Sequence, residues 1–160
     1  MVVMTGRDEA ALERARRELK EEDQRRGVIV TMDVSDSRSI AAAHRTVTER
    51  VGPVDVLVNN AAVLLSEGDD VLSIATDDYR RTFDTNVFGV IDVCRALVPD
   101  MALRRYGRVV NVSSGAGQLA RMSTYAPAYS MSKTALNAFT RILAATYQGD
   151  GVLANVVDPG

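Results

Sequence analysis

Residues 28–60 read VIVTMDVSDSRSIAAAHRTVTERVGPVDVLVNN and predict a strand, a helix and a second strand in succession. The first segment, 28–34, predicts a strand, and the last, 54–60, is nearly all apolar, which is typical of a strand buried on both faces. The segment between them, 35–52, opens with serine and aspartate residues suited to capping a helix and closes at Gly52. A strand–helix–strand unit predicts a parallel sheet, because parallel strands need a crossover connection.

Strand and helix patterns alternate on both sides of this unit. Before it, residues 2–4 predict a short strand, and residues 8–26 predict a polar helix with an apolar stripe. After it, the patterns predict a loop over 61–75, a helix over 76–106, a strand over 108–114, a loop over 115–127, a helix over 127–148 and a strand over 152–158. The order β-α-β-α-β-α-β-α-β predicts an α/β fold with a parallel sheet, as a single domain over residues 1–160. Ligands of such sheets bind outside the carboxyl ends of the strands.

Tyr129 and Lys133 stand four residues apart within the last predicted helix. Residues i and i+4 share a helix face, so the phenol and the ammonium point the same way. A phenol is a poor acid or base at neutral pH, and a neighbouring cation favours its phenolate form. Of the 19 lysine and arginine residues only Lys20 and Lys133 are lysine, which makes this pair less expected by chance. The pair is a candidate for acid–base chemistry, and the alternative interpretation is a solvated pair on an exposed helix face.

The overall composition disfavours several classes of function. The net charge of −2 gives no support for a nucleic-acid or anionic-membrane partner. No apolar run is long enough to span a bilayer, and the first residues lack the pattern of a signal peptide. The single cysteine, Cys94, excludes an internal disulfide and favours a reducing, cytoplasmic location. With His44 as the one histidine and no G-x-S-x-G motif, a zinc site and a Ser-His-Asp triad are both disfavoured.

A glycine motif follows the strand predicted over 108–114. Residues 115–120 read GAGQLA and match G-x-G-x-x-A, the pattern of a dinucleotide-binding turn. No helix opens directly after it, and no acidic residue lies about 20 residues further on to bind a ribose. We therefore expect a flexible turn that leaves room beside Ser114 rather than a pyrophosphate site.

Taken together, these residues give the chain a pattern that resembles the short-chain dehydrogenase/reductase family. The matching elements span essentially all 160 residues and come in the family's order: Thr5-Gly6-Arg7, Asp33-Val34, Asn59-Asn60-Ala61-Ala62, Asn86, Asn111-Val112-Ser113-Ser114, Tyr129-x-x-x-Lys133 and Asp158-Pro159-Gly160. The resemblance implies a Rossmann-like doubly wound parallel sheet. It also implies hydride transfer between a nicotinamide and a small-molecule carbonyl or secondary alcohol.

The resemblance assigns four residues to catalysis. Tyr129 would be the acid for carbonyl reduction and the base for alcohol oxidation, with Lys133 favouring the phenolate and holding the nicotinamide ribose hydroxyls. Ser114 would donate a hydrogen bond to the substrate oxygen. It is preferred to Ser113 because the family uses the second serine of such a pair. Asn86 would anchor a water in a proton relay behind Lys133, and its alternative interpretation is a mid-helix amide facing solvent.

Further residues are expected to bind the cofactor, and no metal is expected. Asp33 and Val34 would contact the adenine, Asn60 and Ala61 would line the cofactor channel, and Pro159 and Gly160 complete the set. Arg7 follows the first strand where relatives that prefer NAD place an acid. An arginine suits a 2′-phosphate, so the resemblance predicts NADP(H) over NAD(H).

The sequence departs from the family pattern in two ways. Ala62 replaces a glycine of the Asn-Asn-Ala-Gly motif, which predicts slight strain if the position has a positive φ. The family's first strand, its glycine-rich turn, its last strand and its substrate lid have no counterpart in residues 1–160. We therefore expect a piece of a larger reductase with little activity by itself, in which the family's second and fourth strands pair directly or a neighbouring chain supplies a strand.

Two other functions and one assembly are compatible with these residues. The first function is a non-catalytic binding or assembly module of the same family. The second is epimerisation or dehydration on the same scaffold. By resemblance, relatives form homodimers or homotetramers through the two long helices, here predicted over 76–106 and 127–148.

Overall fold

A computed structural model describes all of residues 1–160. The chain forms two compact units, residues 1–53 and residues 54–160, which are described in turn. The sequence-based assignment of one domain to residues 1–160 stays a prediction. None of the helices combines the length and the apolarity needed to cross a bilayer.

The first unit contains two parallel strands and three helices. Its elements are β1 (Val2–Gly6), α1 (Glu9–Glu18), α2 (Glu21–Gln24), β2 (Gly27–Thr31) and α3 (Ser37–Arg50). Strand β1 pairs with β2 from Val2↔Gly27 to Gly6↔Thr31. Asp8 caps α1 by accepting from the Ala11 N–H, and Asp36 caps α3 in the same way.

The helix predicted over 8–26 is interrupted in the structure. Helix α1 ends before Leu19, whose backbone is extended, and α2 begins at Glu21. The side-chain amide of Gln24 donates to the carbonyls of Arg17 and Leu19, at 3.1 and 2.8 Å. Carbonyls at the end of a helix lack partners within it, so these bonds stabilise the break.

The second unit contains a three-stranded parallel sheet and three helices. Its elements are β3 (Val56–Asn59), α4 (Thr76–Phe83), α5 (Gly89–Leu103), β4 (Gly107–Val112), α6 (Pro127–Tyr147) and β5 (Val152–Val157). The strand order is β3-β4-β5, and every pairing is parallel, as predicted. Residues 61–75 contain no helix or strand, also as predicted.

The strands form two sheets instead of one. Strand β1 pairs with β2, and β3 pairs with β4, so the direct pairing expected between the family's second and fourth strands is not formed. Strand β3 lies at an edge of its sheet, and Val56 and Val58, which share one face of the strand, are exposed by 55% and 56%. The two sheets still have the all-parallel pairing of an α/β fold.

The long helix predicted over 76–106 is also interrupted. A π-helical turn, Asp84–Phe88, separates α4 from α5, and α5 ends at Leu103. Two residues later, Arg105 adopts the left-handed conformation with φ 56°, which cannot continue a helix. Turns with π-helical geometry are frequent at functional sites.

The core of the second unit lies between its sheet and helices α5 and α6. Its largest buried side chains come from both helices and from β4 and β5: Val98, Met101, Val109, Leu136 and Val152. Along β4 the buried residues alternate with half-buried ones, since successive side chains point to opposite faces. This packing fixes α6 against β4 and β5.

Candidate active site

Tyr129 and Lys133 lie on the first two turns of α6. The helix begins at Pro127, a residue suited to the first helical position because it has no N–H to leave unpaired. The Lys133 ammonium lies 5.4 Å from the centre of the Tyr129 ring, so the two side chains share a face. Lys133 is only 2% exposed and Tyr129 is half-buried. The alternative of a solvated surface pair is therefore wrong.

The buried Lys133 ammonium is anchored to the end of β4. Its Nζ donates to the carbonyl of Val112 at 2.7 Å. An ammonium carries three N–H donors, so this bond leaves donors for a ligand. Burial lowers the pKa of Lys133, because the charged form loses hydration. The geometry thus joins the tyrosine–lysine helix to the sheet edge where ligands of parallel sheets bind.

The two serines that follow β4 have different surroundings. Ser114 is half-buried, and its Oγ accepts from the Ala116 N–H at 3.2 Å, which leaves the hydroxyl proton available for donation. Ser113 is buried, and its Oγ has no hydrogen-bond partner. The Ser113 N–H continues the sheet by donating to the Val157 carbonyl at 2.7 Å. Ser114 is therefore the better placed hydroxyl donor, while its role stays a prediction.

Asn86 lies inside the π-helical turn and is fully buried. Its amide accepts from the Val63 N–H at 2.8 Å and donates to the Val63 carbonyl at 2.9 Å and to the Ser132 hydroxyl at 3.0 Å. The solvent-facing alternative is therefore wrong. The water relay stays a prediction, since this side chain is occupied by protein partners.

Ser132 is a site residue that the sequence reading missed. It is buried and accepts from Asn86, and its own hydroxyl donates to the Tyr129 carbonyl at 2.7 Å. Ser132 thus connects the π-helical turn to the first turn of α6. The sequence feature that could have identified Ser132 is its position next to Lys133. Neither helical spacing nor composition indicates that it faces Asn86.

A chain of buried polar side chains lies behind the site. Asn59 donates to Asn111 at 2.8 Å, and Asn111 donates to the Thr140 hydroxyl at 2.9 Å. Asn59 also approaches the sulfur of Cys94 at 3.6 Å, and burial raises the pKa of that thiol to about 12. Thr140 completes the chain by donating to the Leu136 carbonyl at 2.7 Å. These bonds connect β3, β4 and α6, and satisfied networks of this kind make a core rigid.

The glycine motif after β4 forms a short 3-10 turn, Gly115–Gly117. No long helix opens on it, and the expectation that it is not a pyrophosphate site stays a prediction. The turn is also held more firmly than the predicted flexible turn. The Gly117 carbonyl accepts from Thr134 and from Asn137, both at 3.1 Å, and Gly117 is buried against α6.

In the first unit, Arg7 and Asp33 lie at the same end of the paired strands. The Met32 N–H donates to the Gly6 carbonyl at 2.9 Å, which extends the ladder to the residues just before them. The Asp33 carboxylate accepts from the Ser35 hydroxyl at 2.6 Å and from the Ser35 N–H at 2.9 Å. These bonds, with a smaller contribution from the Arg7 charge, hold the pKa of Asp33 below its ordinary value. Arg7 itself is exposed.

The remaining predicted cofactor residues follow strand ends. Val34 is half-buried after β2, Asn60 and Ala61 are exposed after β3, and Pro159 and Gly160 are exposed after β5. Ala62 does not have a positive φ, so the strain considered for the family's glycine position is absent. The binding roles of these residues stay predictions.

Several known proteins are similar to this chain. Over 163 residues it is 35% identical to the dehydrogenase/reductase SDR family protein 7-like of Anopheles gambiae, with 99% of this chain and 50% of the relative covered. Over 131 residues it is 35% identical to the 2-dehydro-3-deoxy-L-rhamnonate dehydrogenase (NAD(+)) of Sphingomonas sp. (strain SKA58), with 82% and 51% covered. The chain thus spans about half the length of the curated relatives it matches.

A solved structure and a family model agree with these relatives. The fold is similar to that of L-sorbose reductase from Gluconobacter frateurii, complexed with NADPH and L-sorbose, with a TM-score of 0.88 and 28% identity over 99% of this chain and 59% of that chain. The family model described as short chain dehydrogenase matches residues 1–160. The chain therefore belongs to the short-chain dehydrogenase/reductase family.

Proposed function

We propose that residues 1–160 carry the acid–base residues of a nicotinamide-dependent oxidoreductase that interconverts a small carbonyl compound and a secondary alcohol. The observation that carries this proposal is the buried ammonium of Lys133, which lies beside the Tyr129 ring and donates to the Val112 carbonyl at the end of β4, two residues before Ser114. Because the chain spans about half of its relatives, the activity is proposed for the whole protein.

The residues at the end of β4 fit a nicotinamide cofactor. Lys133 has N–H donors beyond the one bound to Val112, and these suit ribose hydroxyls. The buried Ser113 hydroxyl, which lacks a partner, is a further polar atom that a ligand at this edge would satisfy. When bound, the cofactor supplies or accepts the hydride.

Each protein group then has a separate task. In the reducing direction, Ser114 donates a hydrogen bond to the carbonyl oxygen, and Tyr129 transfers its phenolic proton to that oxygen as negative charge develops. Lys133 stabilises the phenolate that remains. Asn86 and Ser132 hold the first turn of α6 through the Tyr129 carbonyl.

We also propose that the protein prefers NADP(H). Arg7 is exposed at the end of β1, where its guanidinium suits a 2′-phosphate, while the Asp33 carboxylate is engaged by Ser35. Similar proteins carry either cofactor, since the sorbose reductase was complexed with NADPH and the rhamnonate enzyme is named for NAD(+).

We expect Arg7→Glu to reverse the ratio of kcat/KM values for NADPH and NADH, and a strong NADH preference before mutation would contradict the proposal.

The experiment that tests the oxidoreductase proposal compares two tyrosine variants. In the protein carrying residues 1–160, we expect Tyr129→Phe to lower kcat for carbonyl reduction by about 10²–10⁴-fold, the usual contribution of acid–base catalysis. Tyr147→Phe removes the same hydroxyl from the last residue of α6 and should retain activity. Activity unchanged in Tyr129→Phe would contradict the proposed role of Tyr129, and no turnover in the original whole protein would indicate a non-catalytic module.

We further propose that the 160-residue chain by itself is at most weakly active. The exposed apolar side chains of Val56 and Val58 belong to a strand whose sequence is typical of burial on both faces. We expect fluorescence titration of this chain with NADPH to give no saturation in the micromolar range. A micromolar Kd would contradict this expectation.

A further inference from the structure

The turn after β4 lies unusually close to the main chain of Lys133. A β-carbon built on Gly117 would lie 2.9 Å from both the carbonyl carbon and the Cβ of Lys133, and 3.0 Å from Nδ2 of Asn137. Carbon atoms in contact normally stay about 3.5–4.0 Å apart, so a side chain here would force the turn and the helix apart by roughly half an ångström. The close approach requires glycine at this position.

The Gly117 carbonyl fixes the same contact through hydrogen bonds. Thr134 Oγ1 and Asn137 Nδ2 both donate to it at 3.1 Å, from residues that flank the next turn of α6. Lys133 directly precedes Thr134 in α6, and its Nζ is bonded to the Val112 carbonyl. The lysine is therefore held at its main chain by the turn and at its ammonium by β4.

We propose that Gly117 is a positioning residue for Lys133. The absence of a side chain allows the turn to lie against the lysine, and its carbonyl sets the rotation of α6 that directs Nζ toward the end of β4. The geometric part stands on these contacts alone, whereas the effect on turnover rests on the proposed function.

The test uses the scarcity of lysine in this chain. Lys20 and Lys133 are the two lysines, and Lys20 is exposed. Reductive ¹³C-methylation followed by NMR therefore gives one signal from the buried Lys133 and one from Lys20, which serves as the internal reference. We expect Gly117→Ala to raise the methylation rate of Lys133 about tenfold, because a displaced side chain is more accessible to the reagent and losing about 1.4 kcal/mol of protection changes a rate by that factor. The Lys20 rate should not change.

Gly149→Ala is the matched control. A β-carbon on Gly149 meets no atom within 4 Å, so this variant should leave both lysine rates unchanged. An unchanged Lys133 rate in folded Gly117→Ala would overturn the proposal. A rise in both variants would also overturn it, because the effect would then not depend on the contact at Gly117.

A second pair of variants decides the question if Gly117→Ala does not fold. Thr134→Val removes one hydrogen bond to the Gly117 carbonyl, and Thr134→Ser keeps the hydroxyl. We expect Lys133 to be methylated faster in Thr134→Val and at the original rate in Thr134→Ser. Equal rates in the two variants would contradict the proposal.

Turnover separates this inference from the proposed function. If both hold, Gly117→Ala in the whole protein lowers kcat for carbonyl reduction by about 10–100-fold, because small displacements of catalytic groups are costly, and Tyr129→Phe lowers it as well. If Lys133 reactivity changes while Tyr129→Phe has no effect on activity, the inference stands and the oxidoreductase proposal fails.

Discussion

At the residue scale, the burial of Lys133 has a measurable cost. Lys133 is 2% exposed, so its ammonium has lost hydration, and one carbonyl acceptor at 2.7 Å offsets part of that loss. A group kept under such conditions, with its pKa lowered by burial, is typical of functional sites. Lys20, the other lysine, lies on the surface and has no comparable constraint.

The lowered pKa of Lys133 predicts how stability changes with pH. In the window between the folded-state pKa and the unfolded value of about 10.4, the unfolded chain binds more protons, so stability rises with pH there. The destabilisation is fully present below that window. The free energy of unfolding should rise across this window by about 1.4 kcal/mol for each unit by which the pKa of Lys133 is lowered. We expect Lys133→Met to abolish this rise. Urea unfolding at a series of alkaline pH values measures it.

Lys20→Met is the control for this measurement, since the variant loses the same charge at an exposed position. Its stability should follow the pH dependence of the original chain. If Lys133→Met and the original chain show the same slope across the alkaline window, burial does not perturb the lysine as inferred.

At the element scale, the connection from α6 to β5 depends on a close contact. Gly151 has a φ of 78°, and a β-carbon there would lie 2.1 Å from the carbonyl oxygen of Arg105. The Gly107 N–H donates to the Gly151 carbonyl at 3.3 Å, so this contact aligns the starts of β4 and β5. The contact leaves no room for a side chain on Gly151.

We expect Gly151→Ala to destabilise the chain by about 2 kcal/mol or more, because left-handed strain and steric overlap add. The free energy of unfolding from urea titration measures this. Gly149→Ala, two residues earlier in open space, should change it by less than about 0.5 kcal/mol. Equal stability of the two variants would show that the turn adjusts without cost.

The elements themselves differ in how far their sequences determine them. The apolar runs over 28–34, 54–60 and 108–114 predicted the positions of β2, β3 and β4, because runs of apolar residues are a strong local signal, but the strands in the structure are shorter than the runs. The π-helical turn at Asp84–Phe88 has no such signal, since it is stabilised by bonds between Asn86 and the distant Val63.

The candidate site shows the same division. Tyr129 and Lys133 could be paired from helical spacing alone, because four residues bring them to one face. Ser132 and Gly117 act through partners that are remote in sequence, namely Asn86 for the first and α6 for the second. Spacing rules carry no information about such contacts. The sequence therefore gives no indication of the role of Ser132, and it predicts only a flexible turn at Gly117.

At the scale of the whole molecule, we propose that copies of the chain associate through the helical face of the second unit. Large apolar side chains are exposed on its helical segments, namely Phe88 just before α5 and Met131 and Ile142 on α6. Exposed apolar groups on long helices are typical of association surfaces. The family resemblance points to the same helices.

We expect Ile142→Glu to shift the protein toward monomer in light scattering coupled to gel filtration, because Ile142 is 66% exposed and a carboxylate resists burial. Leu72→Glu is the control, since Leu72 is 91% exposed in the loop between β3 and α4. Equal masses for Ile142→Glu and the original protein would argue against this surface.

The π-helical turn also sets the rotation of α5 relative to α4 about their common path. One extra residue in a helical path rotates everything beyond it by about 100°. The polar face of α4 and the buried stripe of α5 therefore stand in an angular relation that an unbroken α-helix of the same sequence would not give. A chain that lost one residue from this turn could gain more regular backbone hydrogen bonds, and it would turn Asn86 away from Val63 and Ser132 in exchange.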